Sequence, residues 1–196
     1  MVQVKKADVR EAILASAFQL FSEKDYASTS LSQIAKQAGA STSNLYSYFP
    51  SKLDLLWAVL RPWLFRQIDQ LEMELQGIQD GRQRIERILF VLWGEIPAAD
   101  NNLAINLVQG VALSKPEDNY SRDLLLYLEQ RLTVMLKDSL PEDRQGLLGE
   151  NDAFSHLAFM AFDGFVLTTR VKGRSKRLSE IVRITTDLLL NGTPPD

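Results

Sequence analysis

The feature that most constrains this chain is a run of start and stop signals between residues 28 and 52, which leaves room for two short helices and a tight turn. Ser28, Thr29 and Ser30 precede LSQIAKQA, so Ser30 or Thr29 serves as an N-cap, and Gly39 is placed to end the helix in a left-handed turn near residue 38. Ser41 then caps a second helix, TSNLYSYF, which Pro50-Ser51-Lys52 breaks before the next one begins. Only Gly39, Ala40 and Ser41 separate the two helices, and the small Ala35, Ala38 and Ala40 permit a close crossing. Helix, glycine turn, short helix is helix-turn-helix geometry.

The remaining segments also carry helical periodicity. Val9, Ile13, Ala17, Leu20 and Phe21 recur at three-to-four spacing and predict a first helix over 8–24. A long amphipathic helix runs from Leu53 toward Gln76, and Pro62 within it, lacking an N–H, is either a static kink or a bend point. Gly77 and Gly81 punctuate. The stripe Ile85, Ile88, Leu89, Leu92, Trp93 and Ile96 then reaches Pro97. Further helices are expected near 102–113, 119–140, 152–171 and 175–191, with 141–151 as a linker and NGTPPD as a final stop. The reading is an all-α fold of about nine helices. It comprises an N-terminal three-helix domain over 1–52, containing the helix-turn-helix, and a C-terminal helical domain over 53–196.

Composition narrows the chemistry. At 45% hydrophobic and 24% charged residues the chain can bury a core. No apolar run reaches the roughly 18 residues of a membrane helix, and the N-terminus MVQVKKADVREAIL has no signal-peptide core, so no membrane partner is expected and the cytoplasm is the expected location. With no cysteine and a single histidine, His156, neither a thiolate nucleophile nor a Cys/His zinc site is available. No phosphate-binding loop, nucleophile elbow or HExxH pattern is present, which argues against an enzyme and against any cofactor. The net charge is −3, yet residues 1–60 hold six cations against five anions, so the N-terminal part is compatible with DNA without arguing for it.

The stretch TSLSQIAKQAGASTSNLYSYFPSKLDLL resembles the DNA-binding signature of the TetR (tetracycline repressor) family, with Ile34-Ala35, Ala38-Gly39, Ser41, Leu45-Tyr46, Phe49, Lys52 and Leu55 at matching positions. Asp163-Gly164-Phe165 and the closing Leu188-Leu189-Leu190-Asn191-Gly192 are similar, more loosely, to that family's last two helices. Departures stand at Ser43, Ala40, Leu53 and Asp25-Tyr26, so an operator sequence is not carried over.

The resemblance implies a bacterial homodimeric transcriptional regulator bound to a near-palindromic operator, by default a repressor, and released by a small-molecule effector. A protein-binding adaptor or an activator on the same fold is the alternative. Phosphate contacts fall to Thr29, Tyr46, Tyr48 and Lys52, with a ring packed under the first helix as the other reading of Tyr46. Base readout falls to Thr42, Ser43 and Asn44, with Lys36 and Gln37 at the groove edge, although Ser41 and Thr42 can also be caps alone. Leu178, Ile181, Val182, Leu188 and Leu189 form a stripe suited either to a four-helix dimer face or to an intrachain core. Trp63, Phe90, Trp93, His156, Phe159, Met160 and Asp163 are candidates for an apolar effector pocket with polar anchors. Each aromatic has core packing as its alternative, and His156 has a satisfied, packed histidine.

Overall fold

The computed structural model describes residues 2–114 and 122–192, with side chains from residue 7 onward. Nine α-helices are described: α1 (Val2–Glu23), α2 (Leu31–Gln37), α3 (Thr42–Tyr48), α4 (Lys52–Gln76), α5 (Gly81–Phe90), α6 (Leu103–Ala112), α7 (Asp123–Lys137), α8 (Ala153–Lys172) and α9 (Leu178–Asn191). No strand occurs among the described residues. None of their helices is long and apolar enough to cross a membrane. The expected start of a helix near 119 and the end of the NGTPPD tail lie outside the described residues.

The chain forms two compact units, Met1–Leu64 with Ala99–Tyr120, and Phe65–Ala98 with Ser121–Asp196. The boundary expected between residues 52 and 53 therefore falls inside the first unit, because α4 supplies core residues there. Leu53, Leu55, Leu56 and Leu60 are all buried. The first unit also takes in α6, which packs on α1.

Local signals account for the helix pair. Ser30 Oγ accepts the Gln33 N–H at 3.2 Å while Gln33 Oε1 accepts the Ser30 N–H at 2.9 Å, a reciprocal capping box that decides between Ser30 and Thr29. Gly39 takes φ +66°, a conformation strained for any side chain, and lets Ala40 N–H reach Ala35 O at 2.9 Å. Ser41 Oγ accepts the Asn44 N–H at 3.1 Å, and Phe49, before Pro50, leaves helical geometry at φ −134° and ψ 105°. Ile34, Ala35, Leu45 and Phe49 point inward with Ile13, Ala17 and Phe21 of α1.

In the second unit the expected stripe of α5 is buried throughout, but the helix does not continue regularly to Pro97. Residues Val91–Glu95 form a π-helical turn. There Trp93 Nε1 donates to the Ala158 carbonyl of α8 at 2.9 Å, and its ring stacks on Phe165 at 5.6 Å between centroids. Residues 141–151, expected as a linker, instead hold a 3₁₀ helix, Glu142–Leu148. Leu148 is buried and Arg144 donates to the Gly192 carbonyl, so an apolar anchor and a long-range hydrogen bond order a segment whose composition reads as loop.

Gly81 opens α5 against the end of α7, where an added Cβ would lie 2.4 Å from the Ser139 carbonyl oxygen. Backbone cannot rotate away as a side chain does. Gly81→Ala is expected to lower unfolding stability by about 1–3 kcal/mol in urea titrations. Gly77→Ala, whose Cβ would meet only the Glu74 carbonyl at 3.5 Å, is expected to stay within about 0.5 kcal/mol of the parent.

Candidate functional site

The helix-turn-helix presents a polar, largely hydroxylated surface. On α3, Leu45 is fully buried, and this turns Ser43, Asn44, Tyr46 and Ser47 to solvent, with Thr42 and Tyr48 half-buried. Tyr46 is 51% exposed, which leaves its hydroxyl end available to a partner. Thr42 and Tyr46 line one side of a concave surface of about 580 Å³, and Thr29, Ser30, Ser32, Ser51 and Lys52 are among the residues on its other sides. The starts of α2, α3 and α4 thus converge on one depression whose hydroxyls suit a run of phosphate oxygens. Ser32, Ser47 and Ser51 were not singled out in the sequence. Of these Ser51 carried a signal, since it stands three residues before Asp54 at the start of α4, and its Oγ accepts the Asp54 N–H at 3.0 Å.

Three expected contacts have different surroundings from those anticipated. Thr29 is 1% exposed and its hydroxyl donates to Leu20 O at 3.5 Å, so its side chain serves the end of α1. The Gln37 amide donates to Gln19 Oε1 of α1 at 2.8 Å, drawing it away from the edge of a groove. Lys52 Nζ donates to the Tyr26 carbonyl and sits 4.2 Å from the centroid of the Tyr26 ring. Burial lowers the Lys52 ammonium below the usual lysine range, and the nearby Asp25 carboxylate opposes that shift. An ammonium has three donors, so one bond to Tyr26 leaves two for a phosphate. Lys36 is exposed, as expected.

Of the residues nominated for a pocket, Trp63 belongs to the first unit and the others to the second. Trp93 and Phe159 are buried, and the half-buried Phe90 lies beneath the Arg174 guanidinium at 5.7 Å. Met160 points outward, 46% exposed. His156 Nδ1 lies 2.7 Å from Glu129 Oε1, and one helical turn along α7 Thr133 Oγ1 meets Ser155 Oγ at 2.6 Å. Glu129, Thr133 and Ser155 are buried, so a polar row crosses the α7–α8 contact within an apolar core. Glu129 escaped the sequence reading, although an acid adjoining the Leu124, Leu128 and Leu132 stripe marks the position.

The stripe assigned to a dimer face divides by exposure. Leu178, Val182 and Leu189 are buried within the unit, Ile181 is half-buried and Leu188 is exposed. Helical periodicity identified the apolar side of α9, but that side faces the chain's own core. The outward apolar side chains of these two helices are Ile184 and Leu188 on α9, and Leu157, Met160, Leu167 and Val171 at spacings of three, seven and four on α8. Among the described residues no group of three His, Asp or Glu side chains is placed to hold a metal.

Residues 13–59 match the family model described as bacterial regulatory proteins, tetR family. The HTH-type transcriptional regulator HbdR of Aromatoleum sp. (strain CIB) is 31% identical over 91 residues, covering 46% of this chain and 38% of that protein. The chain spans less than half the length of the curated relatives it matches. Among solved structures, FadR from Bacillus subtilis in complex with stearoyl-CoA aligns with a TM-score of 0.64 at 21% identity, covering 93% of this chain and 98% of that one. A regulator from Saccharomonospora viridis in complex with choline aligns at 0.60 with 22% identity, covering 94% and 97%. At these identities the structural likeness is one of fold.

Burial holds the Asp163 carboxyl above the ordinary aspartate range. Among the described residues no hydrogen bond or ion pair reaches it. The folded chain therefore keeps this proton to higher pH than the unfolded chain, and stability falls as pH rises from 3.8 through the folded value. Asp163→Asn is expected to raise the thermal midpoint at neutral pH and to leave it unchanged well below pH 3.8. Scanning calorimetry at the two pH values checks this, and an equal gain at both would remove the desolvation account.

Proposed function

We propose that this chain, a member of the tetR family of bacterial regulatory proteins through residues 13–59, is a DNA-binding transcriptional repressor that acts as a homodimer on a near-palindromic operator. The observation that carries the reading is α3, a seven-residue helix with Ser43 and Asn44 fully outward, set beside the hydroxyl-lined concavity. Asn44 is suited to adenine, and the Thr42 methyl to thymine. Tyr46, Tyr48, Lys52, Lys36 and the hydroxyls of Ser30 and Ser32 take the phosphates.

One such module buries little area, so useful affinity calls for two half-sites about 34 Å apart on one face of the duplex. The outward apolar side chains of α8 and α9 supply the self-complementary surface that a two-fold axis requires. A small, predominantly apolar effector acts by binding better to a conformer whose two α3 helices no longer match successive major grooves. Trp93, Phe159 and Phe162 are the apolar side of its site in the second unit, with the Glu129–His156 pair as the polar anchor. The acyl ligand of the Bacillus subtilis fold neighbour supports an effector of that character.

Selection of bound sequences from random duplex DNA tests the reading, and a near-palindrome is the expected product. On that operator Asn44→Ala is expected to cost about 1–3 kcal/mol at one base position. Lys52→Ala is expected to weaken all sequences alike and flatten the salt slope by about one unit. Identical sequence profiles for the two variants would overturn this division of labour. For the dimer, Leu188→Glu is expected to give a folded monomer in sedimentation, because that side chain is 64% exposed in the single chain. Leu189→Glu, at 3% exposure, is expected to unfold the second unit.

A further inference from the structure

The last turn of α1 is completed by side chains from outside the helix. A helix leaves its final carbonyls without intrahelical donors. In α1 the carbonyl of Phe21 receives Asn106 Nδ2 at 2.7 Å and that of Ser22 receives Asn102 Nδ2 at 2.6 Å, while the carbonyl of Leu20, already bonded by the Lys24 N–H at 3.0 Å, also receives Thr29 Oγ1 at 3.5 Å. Just beyond, the Ala27 N–H donates to Gln109 Oε1 at 3.4 Å. Asn102, Asn106 and Gln109 stand at i, i+4 and i+7 along one face of α6 and its N-cap, so a single edge of α6 grips the α1 end and the turn that leads into α2. Gly110, on the same helix, lets it lie close to α4, since an added Cβ would come within 2.7 Å of Leu56 Cδ2 and 3.3 Å of Leu53 Cδ1.

Asn106 is fully buried yet only half satisfied. Its Nδ2 also donates to Asn102 O at 2.7 Å, whereas its Oδ1 has no partner among the described residues. A buried acceptor without a donor lowers stability, and against that the Nδ2 donor satisfies the Phe21 and Asn102 carbonyls. The donor end accounts for an asparagine here, because it fixes where the last turn of α1 stops.

We propose that Asn102 and Asn106 are positioning residues for DNA recognition, holding the α1 end and the 24–30 turn so that α2 and α3 keep the geometry an operator needs, without touching DNA themselves. The proposal rests on the DNA-binding reading above. When the grip is lost, the helix pair occupies its binding geometry for a smaller fraction of the time. Apparent affinity then falls by that fraction for every sequence alike. No phosphate or base contact is removed, so the salt slope and the ranking of base substitutions stay as they were.

The experiment compares the full-length parent with Asn106→Leu and Asn102→Gly on the operator selected from random DNA. Affinity is measured across a salt series and each melting temperature is recorded. Glycine at 102 preserves the left-handed φ of +54° and deletes only the side chain. The expected result is an affinity roughly tenfold lower for each variant at a temperature where both stay folded, with unchanged slope and base ranking, and a melting temperature for Asn106→Leu somewhat below the parent's because the Phe21 carbonyl loses its donor. Parental affinity in both folded variants would overturn the proposal, as would a changed slope or base ranking, which would mean direct contact. If Asn106→Leu fails to fold, Asn102→Gly decides alone. A parent that enriches no sequence removes the DNA reading itself, a failure separate from parental affinity in the variants.

Discussion

The end of α1 is completed from outside the helix, and the first unit is organised by where those donors come from. The Leu20 carbonyl, already bonded by the Lys24 N–H, also receives Thr29, while Asn102 and Asn106 supply donors to Ser22 and Phe21 from 80 and 85 residues away. Lys52 donates to the Tyr26 carbonyl between them, at the first turn of α4. Four elements thus meet on residues 20–29, and the Tyr26 ring stacks on Phe21 at 6.1 Å at their centre. With that joint in place, the capped pair of α2 and α3 has few ways to pivot, and the outward direction of Ser43 and Asn44 follows from the burial of Ile34 and Leu45. Helices α1 and α6 and the first part of α4, which make this joint, lie in one compact unit.

The second unit is held by different means. Its arginines engage carboxylates across helices: Arg131 with Asp69 and Glu72, and Arg87 with Glu74 and Glu95. These pairs are partly exposed and each adds little to stability. The greater part comes from buried side chains such as Ile85, Ile88, Leu89 and Leu136, which are wholly shielded from solvent. What the polar groups add is register. The π-helical turn is accompanied by the bond from Trp93 to the Ala158 carbonyl, and the Glu129–His156 and Thr133–Ser155 pairs allow α7 and α8 to slide past one another only by breaking buried hydrogen bonds.

Signals whose cause is local were readable from the residues alone. The two serine caps, Gly39 and the Pro50 break act within four positions of themselves, and the helix pair was legible to within a residue or two. Apolar stripes were legible as stripes. Which partner they meet was not: the α9 stripe covers the chain's own core, and the outward face on α8 and α9 emerges only once that burial is known. Side chains with long-range partners were the least legible. Nothing in the sequence around Thr29, Gln37 or Lys52 shows that Leu20, Gln19 and Tyr26 stand ready to receive their hydrogens. The 3₁₀ segment was missed for a related reason, since PEDRQGLL has loop composition and is ordered by Leu148 and Arg144 reaching beyond it.

Charge decides how much weight this geometry bears. Residues 1–60 carry only one more cation than anion, and of those cations Lys52 is bound to Tyr26 while Arg10 lies 3.2 Å from Glu11. Affinity for duplex DNA that comes from releasing counterions scales with the number of phosphates neutralised by Lys and Arg, and few are offered here. On the DNA-binding reading, hydroxyls, backbone N–H groups and the amide of Asn44 must make up the difference. Those donors act over short distances and at narrow angles, whereas a lysine on a long stem tolerates misplacement. A regulator that binds through many short hydrogen bonds therefore depends more heavily on a fixed helix pair than a strongly basic one does. On that reading, the dependence accounts for fastening the α1 end with Asn102 and with Asn106, whose buried Oδ1 has no partner among the described residues.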